Sequence, residues 1–197
     1  ALDIISEARI VSSHAGCRSD PDRFALCTVM TELLVKTTFQ GETDPVLYPL
    51  SCAAFDALDR CDGAHVPFIC AAHILKVLAV LGVRPILDAC ALCGNPLPPL
   101  LEVPQTAFSY REGGRICDTC RGQVVGGLDA VDASVLSWVQ ALIGATFAQI
   151  AAMDIGDGGA GSDDLAHALM RFCEAWTKTH LDLRLKSLDS CFRSRTV

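Results

Sequence analysis

The 197-residue chain is 51% hydrophobic and 20% charged, which excludes a disordered chain and suits one compact domain, or a domain with a small module. Asp and Glu number 23 against 16 Lys and Arg, a formal net charge of −7 that argues against tight non-specific binding of a phosphate backbone by this chain. Aromatics reach only 6%, while Ala, Leu and Val dominate, so a mainly helical core is expected over a β-sandwich.

The first 87 residues read as four helices. An amphipathic opening helix spans Leu2 to Val11, with Ile4, Ala8 and Val11 on its apolar side. Ser19-Asp20-Pro21 starts the second, a capping side chain followed by Pro where a first helical turn tolerates it; Phe24, Cys27, Met30, Leu34 and Phe39 then recur at helical spacing. Asp44-Pro45 repeats the device before Leu47, Leu50, Ala54 and Leu58. A fourth helix runs from about Pro67 through Ile69, Ala72, Leu75, Leu78 and Leu81, and Gly82 is placed to end it.

From Arg84 to Gly122 the character changes. Prolines 85, 96, 98, 99 and 104 forbid a long helix, and Phe108-Ser109-Tyr110 is expected to face Arg115-Ile116-Cys117 across a Gly113-Gly114 turn as a short hairpin. Helix is expected again from about Asp129, and from Asp163 to about Lys186, with Gly156–Ser162 as a flexible connector. Ala133–Met153 is uncharged and of membrane-spanning length, but its Ser, Thr and Gln residues and its acidic flanks point to a buried helix or helix pair in a soluble protein. The fold class expected is therefore mainly α: a helical bundle with an inserted zinc-ribbon-like module holding a short hairpin. The expected division is 1–83 and 123–197 as parts of one helical core, with 84–122 between them.

Eleven cysteines, an odd number behind no visible signal peptide, indicate a reducing compartment and free thiols. Four of them carry the strongest chemical signal. Cys90-Ala91-Leu92-Cys93 and Cys117-Asp118-Thr119-Cys120 are two CxxC knuckles, each able to aim two sulfurs at one point, and together they supply the four ligands of a tetrahedral Zn²⁺. With no position left for water, such a site is structural. Gly94 permits the backbone turn after the first knuckle, and Arg115 and Arg121 stand beside the second, where they offset its negative charge. The alternative, a thioredoxin-like redox pair, lacks the βαβ setting it needs.

The remaining cysteines (17, 27, 52, 61, 70, 173 and 191) read as small core hydrophobes, and His73 as a hydrogen-bonded core residue. The histidines form no HExxH, and Gly156–Ser162 lacks the ending of a phosphate loop. No catalytic residue is indicated, so the chain reads as a non-enzyme. Charge is uneven: residues 123–169 carry six acids and no Lys or Arg, while 170–197 is the one segment of positive balance. In His180–Ser187 two readings stay open. Its basic groups favour the negative end of a helix, or Arg184 and Lys186, with Arg193 and Arg195, meet an acidic partner.

Several of these residues together resemble the RecO family of recombination mediators. They are Leu81-Gly82, Pro85, Leu87-Asp88, Cys90, Cys93-Gly94, Phe108-Ser109, Gly113-Gly114, Cys117, Cys120 and Leu185-Lys186-Ser187, with Thr31-Glu32-Leu33-Leu34 in the second helix. The resemblance covers nearly the whole chain. It implies a helical domain with an inserted zinc module and a non-enzymatic role in cytoplasmic, nucleoid-associated bacterial DNA repair. It further implies engagement of the single-stranded-DNA-binding protein SSB and of RecR, strand annealing and help in loading RecA. The family begins with an OB-fold domain, so DNA binding is expected chiefly through an N-terminal domain outside this chain, and no membrane is expected. The SSB tail is acidic with an apolar tip, and Arg184 and Lys186 are the residues expected at the edge of its pocket. Two other classes remain: a zinc-stabilised helical adaptor or regulator without a DNA role, which the acidic body favours, and an enzyme whose site is assembled from distant residues.

Overall fold

The computed structural model describes residues 6–39, 44–103, 106–156 and 160–193. Eight α-helices and one two-stranded antiparallel sheet occur among them: α1 Ala15–Ser19, α2 Pro21–Thr37, α3 Leu47–Arg60, α4 Val66–Val80, β1 Ala107–Ser109, β2 Gly114–Ile116, α5 Ala133–Gly144, α6 Phe147–Ile150, α7 Ala160–Leu181 and α8 Lys186–Arg193.

Helix α4 is the axis. It is apolar nearly all round, and such a helix must be enclosed by others. Phe68, Ile69, Cys70, Ala71, Ala72, Ile74, Leu75, Val77 and Leu78 are all buried beneath α2, α3, α5 and α7. The stretch Gly63–Val80 is long and apolar enough to cross a membrane, but 61% of it is buried inside the protein. Two polar side chains of α4 are accommodated individually. His73, fully buried, meets Ser51 Oγ through Nε2 at 3.2 Å, and burial pushes its imidazole down to about 4, so it is neutral near pH 7. Lys76 Nζ donates to the Ile143 carbonyl at 2.7 Å, setting a cation against the negative end of α5.

The expected start and stop signals act as the local physics requires. Asp20 Oδ1 accepts from the N–H groups of Asp22 and Arg23 at 2.9 and 3.2 Å, with Pro21 in the first turn of α2. Asp44 Oδ1 accepts from Val46 and Leu47 before α3. Gly82, at φ +83°, lets Val83 N–H reach back to the Leu78 carbonyl at 2.9 Å and closes α4. Arg23 adds a long-range tie: its guanidinium donates to the Leu58 carbonyl and, at 2.6 Å, to the Cys61 carbonyl, crossing from α2 to the end of α3.

Five expectations need correction. Of the opening helix, residues 1–5 lie outside the described residues, and Ser6–His14 form no helix; Ala8, Ile10 and Val11 are exposed, and an isolated helix of that length is marginal in water. In α2 the buried face is Leu26, Val29, Met30 and Leu33, while Phe24 is 58% exposed and Phe39, beyond the helix end, 70%. The hairpin is offset by one residue: Phe108 pairs with Arg115 and Ser109 with Gly114, so Gly114 is in the strand and Tyr110–Gly113 forms the turn. Helix resumes at Ala133, not Asp129, because the backbone and carboxylate of Asp129 are bound to the hairpin. Finally, α7 starts at Ala160, inside the expected connector, of which residues 157–159 lie outside the described residues. It ends at Leu181, where Asp182 turns at φ +52° and separates α8. The uncharged stretch from Ala133 is a helix pair, α5 and α6, broken at Thr146, whose side chain forms a capping box with Gln149.

One hydrophobic cluster draws on α1 through α8, from Cys17 to Leu188, and includes Phe108 of the hairpin. A second, much smaller cluster consists of Cys90, Ala107, Ile116 and Cys120. The β1–β2 ladder stands between the two. Successive strand residues point to opposite faces, and Ala107 therefore packs toward the cysteines while Phe108 enters the helical core.

Candidate functional site

The segment after Gly82 is held to β2 before it reaches the first knuckle. Ile86 N–H donates to the Gly113 carbonyl and Arg115 N–H to the Ile86 carbonyl, at 3.0 and 2.9 Å. This approach leaves no room for a side chain at position 114, where a Cβ would lie 2.2 Å from the Ile86 carbonyl oxygen. Gly114→Ala is therefore expected to cost about 2 kcal/mol or more through backbone displacement; thermal unfolding checks it, and an unchanged midpoint would contradict this packing. At the first knuckle, Gly94 adopts φ +74° and donates to the Cys90 carbonyl at 2.8 Å, the left-handed turn that glycine makes without strain.

Both knuckles converge. The four thiols of Cys90, Cys93, Cys117 and Cys120 lie within 4.8 Å of one another, with Cys93 Sγ 3.8 Å from Cys117 Sγ. Tetrahedral ligation at a Zn–S distance of about 2.3 Å spaces sulfurs about 3.8 Å apart, so the arrangement fits such an ion. Cys90 and Cys120 are buried, Cys117 is half-buried and Cys93 exposed. Cys117 N–H points at Cys90 Sγ, 3.4 Å away. Burial acts to raise the Cys90 thiol, but N–H groups of Cys117, Cys93 and Leu92 outweigh it and hold the thiol down to about 6. Cys120 is pushed up to about 12 by sharing its proton with Cys117 and by burial. Four such sulfurs cannot all ionise beside one another without a cation, and a dication is what makes a four-thiolate set stable. The set could hold a metal ion, zinc being consistent with it.

Arg115, in β2 two residues before Cys117, is an interior residue. It is 2% exposed, and its guanidinium is occupied inside the module: Nη1 donates to the carbonyls of Leu87 at 2.7 Å and Pro98 at 2.8 Å, and Nε to Thr106 Oγ1 at 3.0 Å. It fastens three loop segments around the hairpin. Arg121 is exposed. Sequence spacing gave no signal for a buried arginine here, beyond a loop-rich segment with too little apolar content to pack alone.

The Leu185-Lys186-Ser187 motif begins α8, and its partner is Glu32 on α2. The Glu32 carboxylate accepts from Lys186 N–H at 3.0 Å, Ser187 N–H at 2.8 Å and the Ser187 hydroxyl, and pairs with Lys36 Nζ at 2.9 Å. Lys36 also donates to the Arg184 carbonyl. A carboxylate from another helix thus caps the start of α8, while Leu185 and Leu188 are buried below it. Arg184, two-thirds exposed, forms an ion pair with Asp189 at 2.7 Å.

Beside α8 a groove of about 530 Å³ opens, lined mainly by apolar groups, among them Pro21, Phe24, Pro67, Met170, Leu188 and Cys191. The exposed ring of Phe24 forms part of its wall. The structure brings Ser187, from the basic C-terminal segment, to its lining; Arg184 and Lys186 flank that residue in sequence and are not among the lining groups.

Residues 18–189 match the family described as Recombination protein O C terminal. The chain belongs to this family. Similar relatives include the DNA repair protein RecO of Desulfitobacterium hafniense (strain DSM 10664 / DCB-2), 30% identical over 123 residues, which is 62% of this chain and 42% of that protein. That of Listeria welshimeri is 28% identical over 119 residues, 60% of this chain and 44% of that protein. That of Bacillus mycoides is 30% identical over 116 residues, with 59% and 44% covered. The chain thus spans less than half the length of the curated RecO relatives it matches.

Proposed function

We propose that the chain is the helical, zinc-stabilised part of a non-enzymatic recombination mediator acting in DNA repair. The observation that carries this reading is the family match over residues 18–189, joined with four convergent thiols where the family resemblance leads one to look. In this reading residues 1–83 and 123–197 make one helical core, and 84–122 is an inserted module closed by one structural Zn²⁺ on Cys90, Cys93, Cys117 and Cys120. The protein works in the bacterial cytoplasm with SSB and RecR, helping to anneal strands and load RecA, with DNA held chiefly by a domain outside this chain. The acidic balance of the chain agrees with that division of labour.

The groove beside α8 has the chemistry an acidic peptide with an apolar tip requires. Its floor and walls accept the apolar tip, while Arg184 and Lys186, at the start of α8, attract the acidic residues before it. Reversing both charges, Arg184→Glu with Lys186→Glu, is expected to weaken binding of an SSB tail peptide about tenfold or more and to flatten its salt dependence. Phe24→Asp, at an exposed position that leaves the core intact, is expected to weaken it further. Titration of a labelled peptide measures both. Unchanged affinity in the charge-reversed protein would contradict the role given to Arg184 and Lys186.

A further inference from the structure

Trp176 of α7 sits where the helical core meets the cysteine module. It is 1% exposed, and its indole N–H donates at 2.7 Å to the carbonyl of Val83, the residue at which the chain leaves α4 for the module. Its ring stacks on Phe172 at 5.5 Å and 13°, and the ring of His180 lies 4.2 Å away. Two hairpin rings complete the cluster: Phe108 at 6.0 Å from Trp176 and Tyr110 at 6.1 Å, themselves edge to face at 5.2 Å. His180 reaches under the hairpin turn, where a Cβ on Gly113 would lie 3.8 Å from its Cε1. The chain leaving the module joins as well, since Asp129 N–H donates to the Phe108 carbonyl at 2.8 Å and the Asp129 carboxylate accepts from Tyr110 N–H at 2.7 Å.

The other face of the same hairpin rests on the sulfurs. Ala107 and Ile116, paired across the ladder, pack with Cys90 and Cys120. Cys117 directly follows β2, and Ala91, inside the first knuckle, donates to the Arg115 carbonyl at 2.8 Å. Four buried residues are far too few to hold this face by hydrophobic contact alone, so the ladder depends on whatever fastens the knuckles. Phe108 faces the aromatic cluster from the middle of β1, and a ladder of three residues per strand cannot lose one face and keep the other in place.

We infer that the β1–β2 ladder makes the packing of Trp176 in the helical core dependent on a metal ion at the four cysteines. The inference rests on the zinc reading above and extends it. The module is a brace for the last turns of α7, and metal occupancy is transmitted to the helical core through Phe108 and Tyr110. By linkage the effect is reciprocal, and an intact Trp176 cluster strengthens metal binding by the same factor by which metal strengthens the cluster.

The test uses the full chain, with zinc measured by elemental analysis before and after treatment with a chelator, and hydrogen exchange followed in both states. Zinc removal is expected to lower amide protection in residues 107–116 and, about tenfold or more, in residues 172–181. In a Trp138→Phe background, where Trp176 is the sole tryptophan, its emission is expected to move to longer wavelength. Trp176→Phe is expected to lose zinc to a competing chelator at several-fold lower chelator concentration. If zinc leaves, 107–116 loses protection and 172–181 stays as protected as before, the coupling is overturned while the zinc site stands. Zinc affinity unchanged in Trp176→Phe overturns it as well. A native chain in which elemental analysis finds no zinc overturns the coupling and the zinc reading together. Hydrogen exchange on the unsubstituted chain decides the matter even if a tryptophan variant fails to fold.

Discussion

Replacing Cys90 or Cys117 by Ser is expected to remove bound zinc and unfold the module, with the largest stability loss of any single substitution in residues 84–122. Structural zinc contributes roughly 10–16 kcal/mol of binding free energy in small zinc-finger peptides at neutral pH, and three thiolates with one hydroxyl keep only part of it. The module has nothing comparable to replace it. Its own buried cluster is four residues, and the Arg115 hydrogen bonds to Leu87, Pro98 and Thr106 require the loops to be in place already. The expected signature is a thermal midpoint that no longer responds to chelator, with amide protection lost first across 84–122. Cys52→Ser serves as the control, since Cys52 is exposed on α3 and distant in sequence from either knuckle. A Cys90→Ser protein as stable as the parent, and equally sensitive to chelator, would contradict the structural role.

Glu32→Ala is expected to release α8. Its carboxylate satisfies two N–H groups at the start of that helix and the Ser187 hydroxyl, and neutralises Lys36. Removing it leaves those donors without an acceptor in a half-buried place, a cost of about 2–3 kcal/mol, since hydrogen bonds to charged groups are worth roughly 1.5–3 each and water recovers part of the loss. Hydrogen exchange should show lost protection at residues 185–193 with α4 unaffected, and full protection there would contradict the capping role. The same carboxylate sets an acid limit. Burial acts to raise it, but hydrogen bonds from Ser187, Lys36 and Lys186 prevail and hold it at about 2, below the ordinary 4.5. A depressed carboxylate stabilises the fold fully above its unfolded value, and the contribution is lost as pH falls from 4.5 toward 2. His73, depressed to about 4 by burial, adds a loss that begins higher, as pH falls below 6.5, because the unfolded chain takes up that proton first. Stability should therefore decline in two stages on acidification, and Glu32→Gln should remove the lower one.

Much of this fold is legible locally. Asp20-Pro21, Asp44 and Gly82 are start and stop signals whose physics involves only a few neighbouring residues, and the structure uses each one. The CxxC pairs are legible for the same reason, because two residues between thiols determine a knuckle wherever it occurs. What escaped the sequence depends on partners far along the chain. Helix α2 carries apolar residues on two faces, and only the packing of α4 and α8 decides that Leu26, Val29, Met30 and Leu33 go in while Phe24 stays on the groove. The turn at Asp182 has no glycine or proline to announce it; it exists because Glu32, 154 residues away from Lys186, caps a new helix there. Arg115 was legible only as a cation beside the second knuckle, because no spacing rule marks an arginine whose acceptors are the carbonyls of residues 87 and 98. Arg184 and Lys186 were legible as a basic end, but their setting beside a carboxylate cap and an Asp189 pair was not.

In the proposed reading four of the eleven cysteines hold one zinc ion as part of the folded protein. Zinc content and thiol reactivity measured together on the native chain test it most directly. One zinc per chain is expected, with Cys90, Cys93, Cys117 and Cys120 protected from a thiol reagent until a chelator removes the metal. A native, folded chain with no bound metal and all four of those thiols reacting freely would contradict it.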